Sequence, residues 1–290
     1  MFTILVWGVT FISTKHLEIK FTAFEILYIR YVIAYIVLWA IQPKFLKFKS
    51  FKEELYFLIA AISGASLYQY LENLSVVYTS PSSVSFITSA APIFTAILAH
   101  FMLIEKINKK IVFGMIISML GVFFICFGDS LTMETGLVGD VIILFAVALW
   151  AVYSIVIKKV AEFGYSQFFV TRRIFFYSLI VMLPFALYQM PSFDYSLLYN
   201  ANSFGNLMFL GVFASALCFV TWNLSVEKLG VNTTSKYLFV MPVITLVAQC
   251  IYDNKSVGVI ALLGMALILL GIAVTEFDFR DLFRKIFVRK

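Results

Sequence analysis

The chain has 290 residues, 62% of them apolar and only 13% charged, with a net charge of +6 and a mean hydropathy of +0.97. That is more apolar surface than one soluble core can hide, so lipid is the expected solvent, and ten spanning helices of roughly 20 residues would leave no room for a soluble catalytic domain. The basic balance does not indicate nucleic acid, because the Lys and Arg residues fall at helix ends rather than on a solvated face.

The chain opens on an apolar run, Met1 to Thr14, with no basic residue ahead of it. A cleavable leader needs a positive start, so this run reads as a first helix whose cytoplasmic end is short or missing. Breaks at charged and turn-forming clusters then place helices at 1–15, 22–42, 55–77, 82–104, 110–128, 137–157, 167–189, 204–226, 232–252 and 256–275. Beyond Glu276, Phe279, Phe283, Ile286 and Phe287 share one helical face and alternate with Arg280, Arg284, Lys285 and Arg289. Residues 276–290 therefore read as an amphipathic basic tail on the cytoplasmic interface.

Charge asymmetry sets the expected direction. With both termini inside, eighteen of the twenty-two Lys and Arg residues fall at cytoplasmic ends; Lys15, Lys20 and Lys255 lie outside, and Arg30 lies within the membrane. Lys236 and Arg172-Arg173 are near the inner helix ends, where snorkelling and capture of an anion at the mouth are the two readings. Cys126, Cys218 and Cys250 all fall inside apolar segments without metal-ligand spacing, so they read as packing side chains. No metal, cofactor or nucleic-acid partner is expected.

An internal repeat emerges when the chain is slid against itself by 150 positions. Asn73-Leu74-Ser75-Val76 then aligns with Asn223-Leu224-Ser225-Val226, Pro92 with Pro242, Thr95 with Thr245, Gly114-Met115 with Gly264-Met265, and Leu120-Gly121 with Leu270-Gly271. Five helices per repeat is an odd number, so the second copy enters the membrane from the opposite side. The expected fold is thus all-α and integral to the membrane: ten transmembrane helices in two inverted five-helix repeats, residues 1–130 and 131–275. Alternating access of a central site follows from that symmetry as a mechanism. Pro92 and Pro242 each remove a backbone donor and are expected to bend helices 4 and 9, while the paired glycines let helices 5 and 10 approach closely.

Two ionisable groups fall at membrane depth, where they need a partner or a purpose. Glu72 and Arg30 each sit roughly 9–12 Å below the outer surface by helical rise, and are expected to be close enough to pair. For Arg30 the structural reading, an ion pair joining helices 2 and 3, is preferred. Tyr68, Gln69 and Ser75 share a helical face with Glu72, a stripe better suited to a wet cavity than to lipid. There the carboxylate could bind a substrate ammonium or a coupling proton. Trp222 occupies the position equivalent to Glu72, with Asn223 beside it, and Trp150, Tyr153 and Tyr237 add aromatic surface suited to an ammonium or an apolar amino acid. Since 18% of the chain is aromatic, each ring has packing as its competing explanation.

The chain resembles the ten-helix EamA transporters of the drug/metabolite transporter superfamily. The resemblance rests on Trp7-Gly8 with Phe11 and Lys15, on Arg30, and on Ser75-Val76-Val77-Tyr78-Thr79-Ser80 followed by Pro92, Glu105-Lys106, Gly114 and Gly121. It recurs as Ser225-Val226-Glu227-Lys228-Leu229-Gly230, Pro242, Gly264 and Gly271, but Asp253-Asn254-Lys255 stands where a Glu is expected after helix 9. The resemblance implies a central cavity lined by helices 1, 3, 4, 6, 8 and 9, which brings Trp7 into the site, with helices 5 and 10 at the rim or at a dimer-forming periphery of a monomer or homodimer. Such transporters export or import amino acids, related metabolites or other small polar or cationic compounds, and the resemblance does not choose among these. The leading expectation is secondary transport of an amino acid or related metabolite, with export preferred, at a bacterial cytoplasmic membrane. Import of an organic cation such as a quaternary amine is the alternative within transport. A non-transporting receptor or assembly subunit is the alternative from another class. An intramembrane enzyme is disfavoured by two histidines and no acidic cluster.

Overall fold

The computed structural model describes residues 1–44, 47–79, 81–104, 108–127, 136–190, 193–253 and 257–276. The basic tail beyond Glu276, Glu105-Lys106, Ser80 and Asn254-Lys255 lie outside the described residues, as do the side chains of Phe11, Lys15, Val76 and Asp253. Among the described residues every regular element is helical.

Helix α1 (Phe2–Glu18) leads through a short turn into α2 (Ala23–Ile41). The turn is fixed by a capping box, in which Thr22 accepts from the Glu25 backbone and the Glu25 carboxylate accepts from the Thr22 N–H at 2.7 Å. Helix α3 (51–78) starts four residues earlier than the pattern predicts, because Ser50 caps it by accepting from the Glu53 N–H. Then come α4 (81–103), α5 (Lys109–Phe127), α6 (Leu137–Ala161) and α7 (Gln167–Gln189). A short 3₁₀ turn, Tyr195–Tyr199, precedes α8 (Ala201–Leu229), and Gly230 at φ 85° separates it from α9 (231–253); α10 (Val259–Glu276) follows.

Seven of these, α2 and α4 to α9, are long and apolar enough to cross a membrane. The chain is a multi-pass membrane protein by composition and length. Helix α3 is outside that set and carries Ser63, Ser66, Gln69, Glu72 and Asn73 along its length. Such a helix suits a protein-lined centre better than lipid, and α3 packs against α6 and α7. Elsewhere α4 lies on α6, α1 on α9, α2 on α7 and α8, and α5 on α10.

Two helices are widened by π-turns, α3 at Ala61–Ser66 and α8 at Phe209–Leu217. Two others are interrupted. Helix α4 breaks at Ser89-Ala90 and restarts as Ala91–Leu103; α9 tightens into a 3₁₀ stretch over Lys236–Val240 and restarts as Met241–Asp253. Pro92 and Pro242 are the second residues of those restarts, so each marks a break ahead of it rather than a bend in mid-helix. In a first turn the missing N–H has no intrahelical acceptor to lose.

The α5/α10 contact is a glycine seam. A Cβ added at Gly121 would come within 2.5 Å of the Gly264 carbonyl oxygen, one at Gly264 within 2.6 Å of the Gly121 carbonyl oxygen, and Gly114 and Gly271 face each other in the same way at 2.5 Å. Backbones this close exclude any side chain.

Candidate functional site

The centre of the molecule is a stack of aromatic rings contributed by four helices. Trp7 of α1 lies 5.6 Å from Trp150 of α6 and 5.5 Å from Trp222 of α8, and the last two are themselves 5.5 Å apart. Phe219, one turn before Trp222, closes on Trp7 at 5.8 Å. From α3, Tyr68 meets Trp150 at 5.1 Å. Tyr153, one turn after Trp150, also stacks on it at 5.1 Å. The tilted and edge-on geometries are those that ring quadrupoles favour.

Local sequence explains how the rings come so close. Tyr153 lies against the bare backbone of Gly64 inside the α3 π-turn, where a Cβ would collide with its ring. Its hydroxyl donates to Asn223 Oδ1 at 2.7 Å, and Asn223 Nδ2 donates to Thr171 Oγ1 at 3.1 Å, a buried chain linking α6, α8 and α7. The Trp7 indole N–H donates to the Ala214 carbonyl at 2.9 Å, within the π-turn of α8. Trp150 and Trp222, 4% and 2% exposed, have indole nitrogens with no hydrogen-bond partner among the described residues.

Glu72 is attached to this stack through Tyr68, whose hydroxyl donates to Glu72 Oε1 at 2.9 Å across one helical turn. Gln69 is half-buried on the preceding turn. Ser75 is buried but donates to the Glu72 backbone carbonyl, so its hydroxyl serves the helix rather than the carboxylate. The expected ion pair between Arg30 and Glu72 is absent: no carboxylate lies within 4 Å of Arg30 among the described residues. Its Nε instead donates to Ser215 Oγ at 2.8 Å, because the widened turn of α8 brings that hydroxyl to α2. Arg30 and Glu72 remain within electrostatic reach of each other.

Two openings lie at opposite ends of α1, and the smaller one reaches the stack at Trp222. One, of about 660 Å³, is lined by Glu18, Lys20, Glu25, Asn73, Val77, Phe193 and Asp194, at the end of α1 and the start of α2. The other, of about 200 Å³, is lined by Met1, Thr3, Ile4, Trp222, Ser225 and Tyr237, at the start of α1 and the end of α8. Tyr237 thus joins Trp222 at an opening.

The end of the molecule holding the starts of α3 and α7 is tied by a polar network. Arg173 pairs with the Glu54 carboxylate, which also accepts from Tyr177 Oη at 2.5 Å. Arg172, 6% exposed, donates to the Gln42 and Lys44 carbonyls and so caps the end of α2. Gln167 Nε2 donates to Glu227 Oε2 at 2.7 Å, bringing in α8. Neither arginine is a loose surface cation.

The whole chain matches one family model, that of the EamA-like transporter family, over residues 1–127 and 137–277. The chain belongs to the EamA-like transporter family. It is similar to an uncharacterized transporter of Archaeoglobus fulgidus, 28% identical over 94% of this chain and 95% of that one. It also resembles a protein of Streptantibioticus cattleyicolor named a probable terminal-alkyne amino-acid exporter, at 23% identity over 74% of this chain and 70% of that one. A crystal structure with 15% sequence identity superposes with a TM-score of 0.81 over 97% of this chain and 96% of that chain, a likeness of fold.

As an EamA family member the chain is a transporter and not an enzyme, and the central stack takes its meaning from that. Of the residues singled out by pattern, Tyr68, Glu72, Trp7, Trp150, Tyr153, Trp222 and Asn223 form one contiguous network. Phe219 and Thr171 belong to it too, Ser215 holds Arg30, and pattern does not single out any of the three. Phe219 carries a faint signal, three residues before Trp222 on the same helical face; the two hydroxyls carry none.

Proposed function

We propose that this EamA family member is a secondary transporter that exports an amino acid or closely related compound across the cytoplasmic membrane by alternating access. The observation that carries the reading is the packed aromatic stack with one attached carboxylate, Glu72, and an opening that reaches the stack at Trp222. Aromatic faces and a carboxylate suit an ammonium bearing an apolar side chain, and the Streptantibioticus relative is named for an amino-acid substrate. Glu72 is the group assigned to bind that ammonium or a coupling proton.

The fold reading is of ten helices in two inverted repeats, residues 1–130 and 131–275, with both termini and the basic tail cytoplasmic. Its support is geometric. The π-turns at Ala61–Ser66 and Phe209–Leu217 overlap in the 150-residue frame, as do the breaks before Pro92 and Pro242. The Gly114–Gly271 contact becomes the Gly264–Gly121 contact when the two halves are exchanged.

Counterflow in proteoliposomes tests the function. Labelled amino acids are expected to exchange in the parent protein and not in Glu72→Gln; exchange at the parental rate in Glu72→Gln removes the carboxylate from the mechanism. Import of an organic cation is the second reading, favoured by Glu18, Glu25 and Asp194 around the larger opening. Exchange of quaternary amines without exchange of amino acids would select it. Flux of neither class would leave the receptor or assembly-subunit reading.

A further inference from the structure

Three indoles meet at the centre, and they differ in one respect. Trp7 gives its N–H to the Ala214 carbonyl, whereas Trp150 and Trp222 hold theirs buried and, among the described residues, unpartnered. An indole nitrogen is a donor only, and a buried donor left unpaired carries its full desolvation penalty. Two such donors on rings 5.5 Å apart, one of them lining the smaller opening, form a site that calls for an acceptor. Across the stack, through Tyr68, stands the acceptor-only carboxylate of Glu72. Trp222 is also the residue that replaces Glu72 in the 150-residue frame, so equivalent positions present opposite hydrogen-bonding polarity to one centre.

We infer that the indole N–H groups of Trp150 and Trp222 bind the carboxylate of a zwitterionic substrate whose ammonium is bound by Glu72. This rests on the amino-acid reading above and makes the α-carboxylate a recognised group. The ring faces receive the apolar side chain. Arg30 is the competing carboxylate partner: its Nε serves Ser215, its Nη groups remain donors, and the Arg30→Met variant separates it from the indoles.

The test uses L-phenylalanine and its decarboxylated counterpart, 2-phenylethylamine, as paired probes, with other amino acid and amine pairs run beside them. Binding is measured by thermal shift and titration on the purified full chain. The parent is expected to prefer the amino acid about tenfold to a hundredfold, the range of a hydrogen bond to a charged group. Trp222→Phe and Trp150→Phe keep a ring and remove the donor, and each is expected to move that ratio toward parity. The ratio is an internal control, since a variant that merely packs less well weakens both compounds together. Retention of the full preference in both variants, or its loss only in Arg30→Met, overturns the inference and leaves the amino-acid reading standing. A parent that binds the amines and none of the amino acids overturns both.

Discussion

Ser118 and Ile268, 150 positions apart in the chain, meet across the α5/α10 seam, where Ser118 Oγ donates to the Ile268 carbonyl at 3.4 Å. On either side the Gly114–Gly271 and Gly121–Gly264 contacts repeat with the helices exchanged. Under the proposed inverted-repeat reading these two positions are equivalent, and their contact marks where a two-fold axis between the halves would run.

The seam predicts the effect of the smallest possible side chain. Gly121→Ala puts a methyl group into the Gly264 backbone and has to part the helices, at a cost of about 1–3 kcal/mol from overpacking. Gly205, whose added Cβ meets nothing within 4 Å, is the control. Thermal melting of the purified protein should drop for Gly121→Ala and for Gly264→Ala, and stay near the parent for Gly205→Ala.

Tyr68→Phe keeps the ring against Trp150 and removes the phenol from Glu72. The lost hydrogen bond to a charged acceptor is worth roughly 1.5–3 kcal/mol. By that measure the melting temperature should fall, and with Glu72 in the assigned role transport efficiency should fall about tenfold as well. An equal rate for Tyr68→Phe and parent in counterflow would remove the phenol from the site.

Glu54, Arg173 and Tyr177 tie the start of α3 to α7, with the two charged side chains only 10% and 22% exposed. Glu54→Gln should cost roughly 1–3 kcal/mol, because it leaves a partly buried guanidinium without its counter-charge. Hydrogen exchange should quicken at the adjoining ends of α2, α3 and α7 and stay unchanged along α5 and α10. A double substitution with Arg173→Met should recover part of the loss.

The chain from Tyr153 through Asn223 to Thr171 predicts a larger effect. Asn223→Ala strips a partner from two buried hydroxyls at once, and a cost of about 2–5 kcal/mol follows from two unsatisfied groups. Asn73, its counterpart in the repeat frame, lines the larger opening. Asn73→Ala should therefore leave the melting temperature close to that of the parent.

Family and membrane character are legible in the residues, since hydropathy and ordered short motifs survive without any knowledge of packing. The Tyr68–Glu72 contact is legible too, because four residues of helix place two side chains together whatever surrounds them. Arg30 is the instructive contrast. Its partner depends on where a π-turn carries Ser215, a shift of backbone that no spacing rule registers. Pro92 and Pro242 announce an interruption, but break and bend differ only in whether the preceding residues stay helical. The ring stack is hidden by abundance: with 32 phenylalanines and 15 tyrosines, Phe219 looks like any lipid-facing ring until α1, α6 and α8 are brought together.

The aromatic stack also has a bearing on the idle protein. Under the alternating-access reading, the rings in mutual contact close the way from the smaller opening toward Glu72. On that reading a passenger has to part the indoles, which close again behind it. A bilayer crowded with this transporter should keep its electrical potential, as a voltage-sensitive dye in sealed vesicles would register.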